Sequence, residues 1–208
     1  AQPAQQPAGQ AAAKPAEPAK PLTTNDFKRP ELLLETDKLA GMMADKNLRI
    51  VDLRAPNLYT EAHIPGAVNL NSNDLDIKKA SGVQDLNDPA KVAEVLGNLG
   101  IGSGNKVVLY DDQRTLSAAR VFWVLDYLGH KDAVVLNGGY PKWAAEKREV
   151  TRTVPRPEKA VFTPKPDPTK VADDAYVAAN MGEKSVVFCD ARTPEEFEGS
   201  DVRAERGG

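Results

Sequence analysis

Residues 107–123, "VVLYDDQRTLSAARVFW", pass from a continuous apolar run, through a short polar stretch, straight into an apolar helical pattern. An unbroken run such as "KVVLY" (106–110) is the mark of a strand buried on both faces, and 116–128 reads as a helix apolar nearly all round. A strand that feeds a helix this directly aims the intervening loop at a ligand, because the first amides of the helix are unpaired at its mouth. The residue leaving the strand is the natural place for a nucleophile. Here it is Asp111, followed by Asp112, Gln113, Arg114 and Thr115.

The flanking sequence repeats the same grammar. "LRIVDL" (48–53) and "AVVLN" (133–137) have strand length and composition, the second ended by Gly138 and Gly139. Thr36 is expected to cap a helix with Leu39, Ala40 and Met43 on one face. In "NDPAKVAEVLGNLG", Asp88 caps, Pro89 opens the first turn, Val92, Val95, Leu96 and Leu99 form the stripe, and Gly100 closes it. Strands alternating with helices imply an α/β domain over 30–152, its central parallel sheet covered by helices on both faces.

The 208 residues suffice for one ordinary domain and part of another. A net charge of −3, with both signs interspersed, argues against a nucleic-acid partner, whose phosphates call for a clustered basic face. No apolar run approaches the roughly 20 residues that cross a bilayer, so no membrane span is expected. One cysteine, Cys189, excludes an internal disulfide and a cysteine-based zinc site. The opening "AQPAQQPAGQAAAKPAEPAKPL" is nearly all Ala, Pro and Gln, too poor in apolar area to offset its ordering entropy, so 1–29 is expected to be a disordered tail. It resembles a mature end left by signal-peptide removal, which implies a periplasmic or otherwise exported protein.

Residues 153–170 carry five prolines and no periodic pattern, and read as an extended linker. Beyond it the chain repeats itself. At an offset of 138, "TDKLAGMMADKNLRIVDLRAPNLYT" (36–60) lies without a gap over "DAYVAANMGEKSVVFCDARTPEEFE" (174–198). Ala40, Met43, Lys46, Asp52, Arg54 and Pro56 fall on Ala178, Met181, Lys184, Asp190, Arg192 and Pro194. The shared apolar pattern and the D-x-R-x-P core mark a second copy of the domain, 171–208, incomplete in this sequence.

With D-x-R-x-P, "AHIPGAVNL" (62–70), "VVLYDD…SAARVFWVLDYLGH" and "VLNGGYPKW" assembled, the chain resembles the tandem-domain rhodaneses, the thiosulfate and 3-mercaptopyruvate sulfurtransferases. The resemblance covers about 33–200. It implies two rhodanese-like α/β domains, of which the second carries the catalytic cysteine while the first has Asp in its place. Asp111 suits that position, so 111–115 is expected to be a degenerate active-site loop and this chain alone to be inactive. The resemblance places the nucleophile after Gly208, and makes Asp190 and Arg192 borders of the substrate pocket. Some members have Arg where this sequence has Glu196, which puts an anion contact from that element in doubt.

Sulfur transfer needs a thiolate that attacks a sulfane sulfur and holds it as a persulfide. Inward-pointing amides at a helix N-terminus stabilise that thiolate. A carboxylate there supplies its own anion and caps the helix, so Asp111 reads as a structural plug. The alternative is an Asp nucleophile or base assisted by Asp112 or Arg114. Cys189 ends "SVVFC" and matches Val51, and is expected to be buried and inert. His63 and His130 read as turn and capping residues, and neither metal nor cofactor is expected. The expected partners are a small sulfur-containing anion and the C-terminal remainder of the protein as a second chain, without which 185–200 should not be ordered. The rival reading is a non-catalytic rhodanese-homology module for protein or anion binding, and a second rival is a phosphatase-like relative. A six-residue Cys loop after Gly208 indicates sulfur transfer, a longer one a phosphatase, and no Cys a binding module.

Overall fold

A computed structural model of the chain describes residues 27–78, 84–112 and 115–201. Most of the expected tail, together with Gln113, Arg114 and 202–208, lies outside the described residues. The chain divides into two compact units, one ending at Pro166 and one beginning at Asp167.

Unit one is built on five parallel strands: β1 (Leu33–Leu34), β2 (Leu48–Asp52), β3 (Ala67–Asn69), β6 (Lys106–Tyr110) and β7 (Ala133–Leu136). Their spatial order is β1-β7-β6-β2-β3. β6 pairs β2 from Lys106 opposite Leu48 to Tyr110 opposite Asp52. β4 (Asp76–Lys78) and β5 (Gln84–Leu86) form a separate antiparallel pair that the sequence pattern did not disclose, being short and mostly polar. Helices α1 (Thr36–Met42) and α5 (Gly139–Ala145) cover one face of the five-stranded sheet, while α3 (Pro89–Asn98) and α4 (Leu116–Tyr127) cover the other. α2 (Pro56–Glu61) follows β2.

This two-sided cover explains the unbroken apolar strands. Val107 and Leu109 enter the core with Val92, Leu96, Val121 and Leu125. Val108 and Tyr110 point the opposite way, to Leu39 and Trp143. Alternate residues thus face different cores, and both sets must be apolar. The α/β class and its parallel sheet agree with the reading of the sequence.

Three local expectations need correction. Thr36 is not the cap of α1 but its first residue; Glu35 occupies the cap position in extended backbone. The buried Thr36 hydroxyl donates instead to Glu146 at 2.6 Å, a tertiary bond that outcompetes capping. The stretch 153–166 is extended, yet it is strapped to the domain. Ala160 N–H donates to Gly97 O, Ser103 N–H to Val161 O and Lys165 N–H to Leu128 O. Phe162, 6% exposed, joins the core cluster to which α3 and α4 contribute. A Cβ on Gly97 would stand 2.6 Å from Ala160 O, so the close approach of strap to helix requires glycine there.

The third correction concerns unit two. Its helices α6 (Asp174–Asn180) and α7 (Pro194–Phe197) start 138 residues after α1 and α2, as the repeat requires. "SVVFC" nevertheless forms no strand among the described residues. Val187, Phe188 and Phe197 are exposed, where the matching Ile50 and Tyr59 of unit one are buried. A strand is made by its neighbours, and the β3 and β6 that flank β2 have no described counterpart in unit two.

The strap yields the first prediction. Phe162→Ala should cost about 3–5 kcal/mol in a urea titration of the chain, the usual range for a buried phenylalanine. Val161→Ala, at a site 82% exposed, should change the midpoint negligibly.

Candidate functional site

Asp111 leaves β6 and is 2% exposed. Its Oδ1 accepts a hydrogen bond from Thr115 N–H and its Oδ2 one from Ala118 N–H, both at 3.0 Å. These are the amides at the mouth of α4 that a bound anion would otherwise use. Thr115 has φ 69°, a strained left-handed conformation for a β-branched residue. Behind the loop, Tyr140 N–H donates to Asp111 O at 3.0 Å. A Cβ on Gly139 would approach that oxygen to 2.3 Å, so only glycine lets α5 close on the loop. Asp111, Asp112, Thr115, Gly138, Gly139 and Pro141 line a pocket of about 270 Å³. The cradle exists, and the chain's own carboxylate fills it.

The strand end beneath this loop is held by a buried ion pair. Arg54 Nη2 meets Asp52 Oδ2 at 2.6 Å, Arg54 Nε lies 3.0 Å from Asp52 Oδ1, and both side chains are almost wholly buried. The Tyr110 hydroxyl also donates to Asp52 Oδ2 at 2.6 Å. Burial, aided by the Asp52 charge, pushes the Tyr110 phenol far up, so it stays a neutral donor. The Arg54 guanidinium lies 3.5 Å from the centre of the Tyr140 ring and donates to Ala62 O at 2.7 Å. Asn69 Nδ2 closes the cluster by donating to Asp52 O and Arg54 O. Asp52 and Arg54 are legible in the sequence as the D-x-R pair that the repeat shares. Tyr110 and Tyr140 are not, for nothing marks an aromatic at a strand end as a hydrogen-bond donor or a stacking surface.

Unit two carries the same hook. Arg192 N–H donates to Asp190 Oδ1 at 3.0 Å, and Arg192 Nη2 meets Asp190 Oδ2 at 2.7 Å. The Arg192 guanidinium holds the Asp190 carboxyl below its usual range. Glu196 is engaged in a capping box, accepting from Thr193 N–H at 2.9 Å while its own N–H donates to the Thr193 hydroxyl. Asp190, Arg192 and Glu196 are brought together, the first two exposed and Glu196 half-buried. Cys189 is exposed as well, contrary to the expectation from its partner Val51, since no strand among the described residues of unit two covers it. Among the described residues no His, Cys, Asp and Glu cluster has the makings of a metal site, and no helix is long and apolar enough to cross a membrane.

Both histidines serve the strap. His63 exchanges backbone hydrogen bonds with Thr151, stacks on Tyr59, and sets its ring nitrogens 2.8 Å from Tyr59 O and 3.1 Å from Thr153 O. His130 follows α4 and packs its ring against Phe162.

The two hooks predict opposite responses. Asp52→Asn leaves Arg54 buried without its counter-charge and should destabilise unit one by about 3–5 kcal/mol in chemical unfolding. Asp190→Asn, in the solvated copy, should leave the unfolding midpoint unchanged.

The rhodanese-like domain family matches residues 35–146, from before α1 to the end of α5. The chain is 32% identical over 188 residues to a thiosulfate sulfurtransferase of Azotobacter vinelandii, covering 88% of this chain and 68% of that protein. It is also 32% identical to a probable 3-mercaptopyruvate sulfurtransferase of Pseudomonas aeruginosa, covering 80% of this chain and 63% of that protein. The chain thus spans about two thirds of the length of these curated relatives. In three dimensions it resembles SseA of Escherichia coli, a 3-mercaptopyruvate sulfotransferase, with a TM-score of 0.74 at 23% identity over 85% of this chain and 71% of that one. With its parallel sheet, its loop from β6 into α4 and this similarity, the chain belongs to the rhodanese-like domain family.

Proposed function

We propose that the chain is the non-catalytic first domain, and the opening of the second, of a sulfurtransferase that moves sulfane sulfur from thiosulfate or 3-mercaptopyruvate to a thiophilic acceptor. The observation that carries the reading is the plugged cradle. The loop has the amides that a thiolate and an oxyanion leaving group need, and Asp111 occupies them. The chemistry therefore belongs to the second copy, whose counterpart of Asp111 falls beyond Gly208. There a cysteine thiolate attacks the sulfane sulfur, the old sulfur bond breaks with its electron pair leaving on sulfite or pyruvate enolate, and the persulfide passes its outer sulfur to the acceptor.

In this reading Asp190 and Arg192 border the catalytic pocket. Their support is unit one, where the equivalent Asp52 grips the residue just before Asp111. The names of the relatives support both donors, and the small anion is the substrate. Binding without catalysis is the weaker reading, since Asp111 already fills the anion site of unit one. Export belongs to the same proposal, supported by the Ala, Pro and Gln composition of 1–22, and cell fractionation tests it.

Two experiments test the function. Purified 1–208 should form no thiocyanate from thiosulfate and cyanide, while the tandem protein should; turnover by 1–208 that disappears in Cys189→Ala would transfer the chemistry to Cys189 and overturn the assignment. Asp111→Cys should place a thiol among the Thr115 and Ala118 amides, lowering its pKa. Iodoacetamide at neutral pH should then alkylate that position faster than Cys189, and equal rates would refute the cradle.

A further inference from the structure

The strap is the least expected part of unit one, and its innermost contact is a histidine with unusual surroundings. His130 is 6% exposed, and neither ring nitrogen has a hydrogen-bond partner among the described residues. Its ring stacks on Phe162, with centroids 5.8 Å apart and planes at 26°. Phe162 is the strap's only side chain in the main core cluster. The strap runs on a track made for it: Gly97 admits Ala160 O, and a Cβ on Gly129 would stand 2.9 Å from Lys165 O. Beside the ring lies a cavity of about 330 Å³, lined in part by Ser103, His130, Phe162, Thr163 and Lys165.

A neutral imidazole tolerates such a site at modest cost. An imidazolium is disfavoured there, because burying the charged ring costs more than the nearby backbone of Asp132 and Asn105 returns. The charged neighbours offer little relief. Asp132, on the β7 side, is already paired with Lys106 at 3.0 Å. The strap contributes Lys165, a like charge. The 101–105 turn contributes Ser103 and Asn105, which are uncharged, and the end of α4 contributes Leu128.

We propose that residues 157–165 form a pH-sensitive clasp, docked on unit one through Phe162 while His130 is neutral and released when its ring takes a proton. Release frees the Ala160–Gly97 and Lys165–Leu128 backbone bonds together, since Phe162 lies between them. The His63–Thr151 backbone pairing does not titrate and remains as the hinge. Freeing 157–166 lengthens the undocked chain that leads into unit two.

The direction of the pH effect follows from the sign of the shift. Burial lowers the His130 pKa from 6.5, with the backbone of Asp132 and Asn105 and the Asp132 charge opposing less strongly. A group lowered in the docked state binds more protons when released. Docking is therefore fully favoured above 6.5 and weakens as pH falls through it towards the docked value, by about tenfold for each pH unit in that window.

Amide hydrogen exchange on the 1–208 chain at pH 7.5 and 5 tests the clasp, with rates corrected for the intrinsic effect of pH. Protection at Ala160 and Lys165 should fall at the lower pH, while β6 amides keep theirs. His130→Phe and His130→Gln should abolish the pH response. Equal protection of the wild-type strap at both values, or a loss that persists in the folded variants, would overturn the proposal. Should neither variant fold, wild-type NMR decides. The Phe162 ring resonances should titrate with those of His130 at one midpoint below 6.5, and independent behaviour would refute the clasp.

Discussion

The Asp52 carboxylate is the point on which the functional end of unit one depends. It ends β2 and gathers the Arg54 guanidinium, which opens the way to α2, and the Tyr110 hydroxyl, which ends β6. Two strand ends, 58 residues apart in sequence, thus meet at one buried charge. Such a pair adds little net stability over an apolar substitute, because two ions must be dehydrated. What it confers is position. Tyr110 immediately precedes Asp111, so fixing its phenol fixes where the loop starts, and Arg54 stacked on Tyr140 brings α5 against the same loop.

That arrangement makes the Asp111 loop a preformed anion site whose anion is built in. The same geometry with a thiol would hold a reactive thiolate; with a carboxylate it becomes a helix cap. Under the proposed function, the two copies of the motif would divide their labour by one side chain rather than by fold. The hook itself is local: Asp190 and Arg192 reproduce the geometry of Asp52 and Arg54 in a unit with no strand among its described residues. Its side-chain pairing follows from the D-x-R spacing and the turn, and its burial from the neighbours.

The strap shows how proline-rich composition can mislead. Five prolines without periodicity excluded helix and sheet over 153–169, and the segment is indeed extended except for a short turn at Pro168–Lys170. Extension is compatible with docking as well as with freedom. Phe162 decides between them, yet a single phenylalanine among prolines gives no pattern. Its pocket consists of residues from α3, α4 and the 101–105 turn, and exists only once these are assembled.

Read alone, the sequence determined the α/β class, strands within 48–53, 106–110 and 133–137, helices within 87–100 and 116–128, the anion-loop position of Asp111 and the 138-residue repeat. Each is a matter of periodicity, capping chemistry or self-similarity, which are local or additive signals. Only the tertiary structure decided the strand order, the hairpin of β4 and β5, the role of Thr36, the docking of the strap and the Tyr110–Asp52–Arg54–Tyr140 cluster. It also decided that "SVVFC" stays unpaired with Cys189 exposed, although its pattern matches a strand. The reason is common to all of these. They depend on which surfaces meet, and a side chain's burial and partners are properties of the assembled neighbours, not of the segment that carries it.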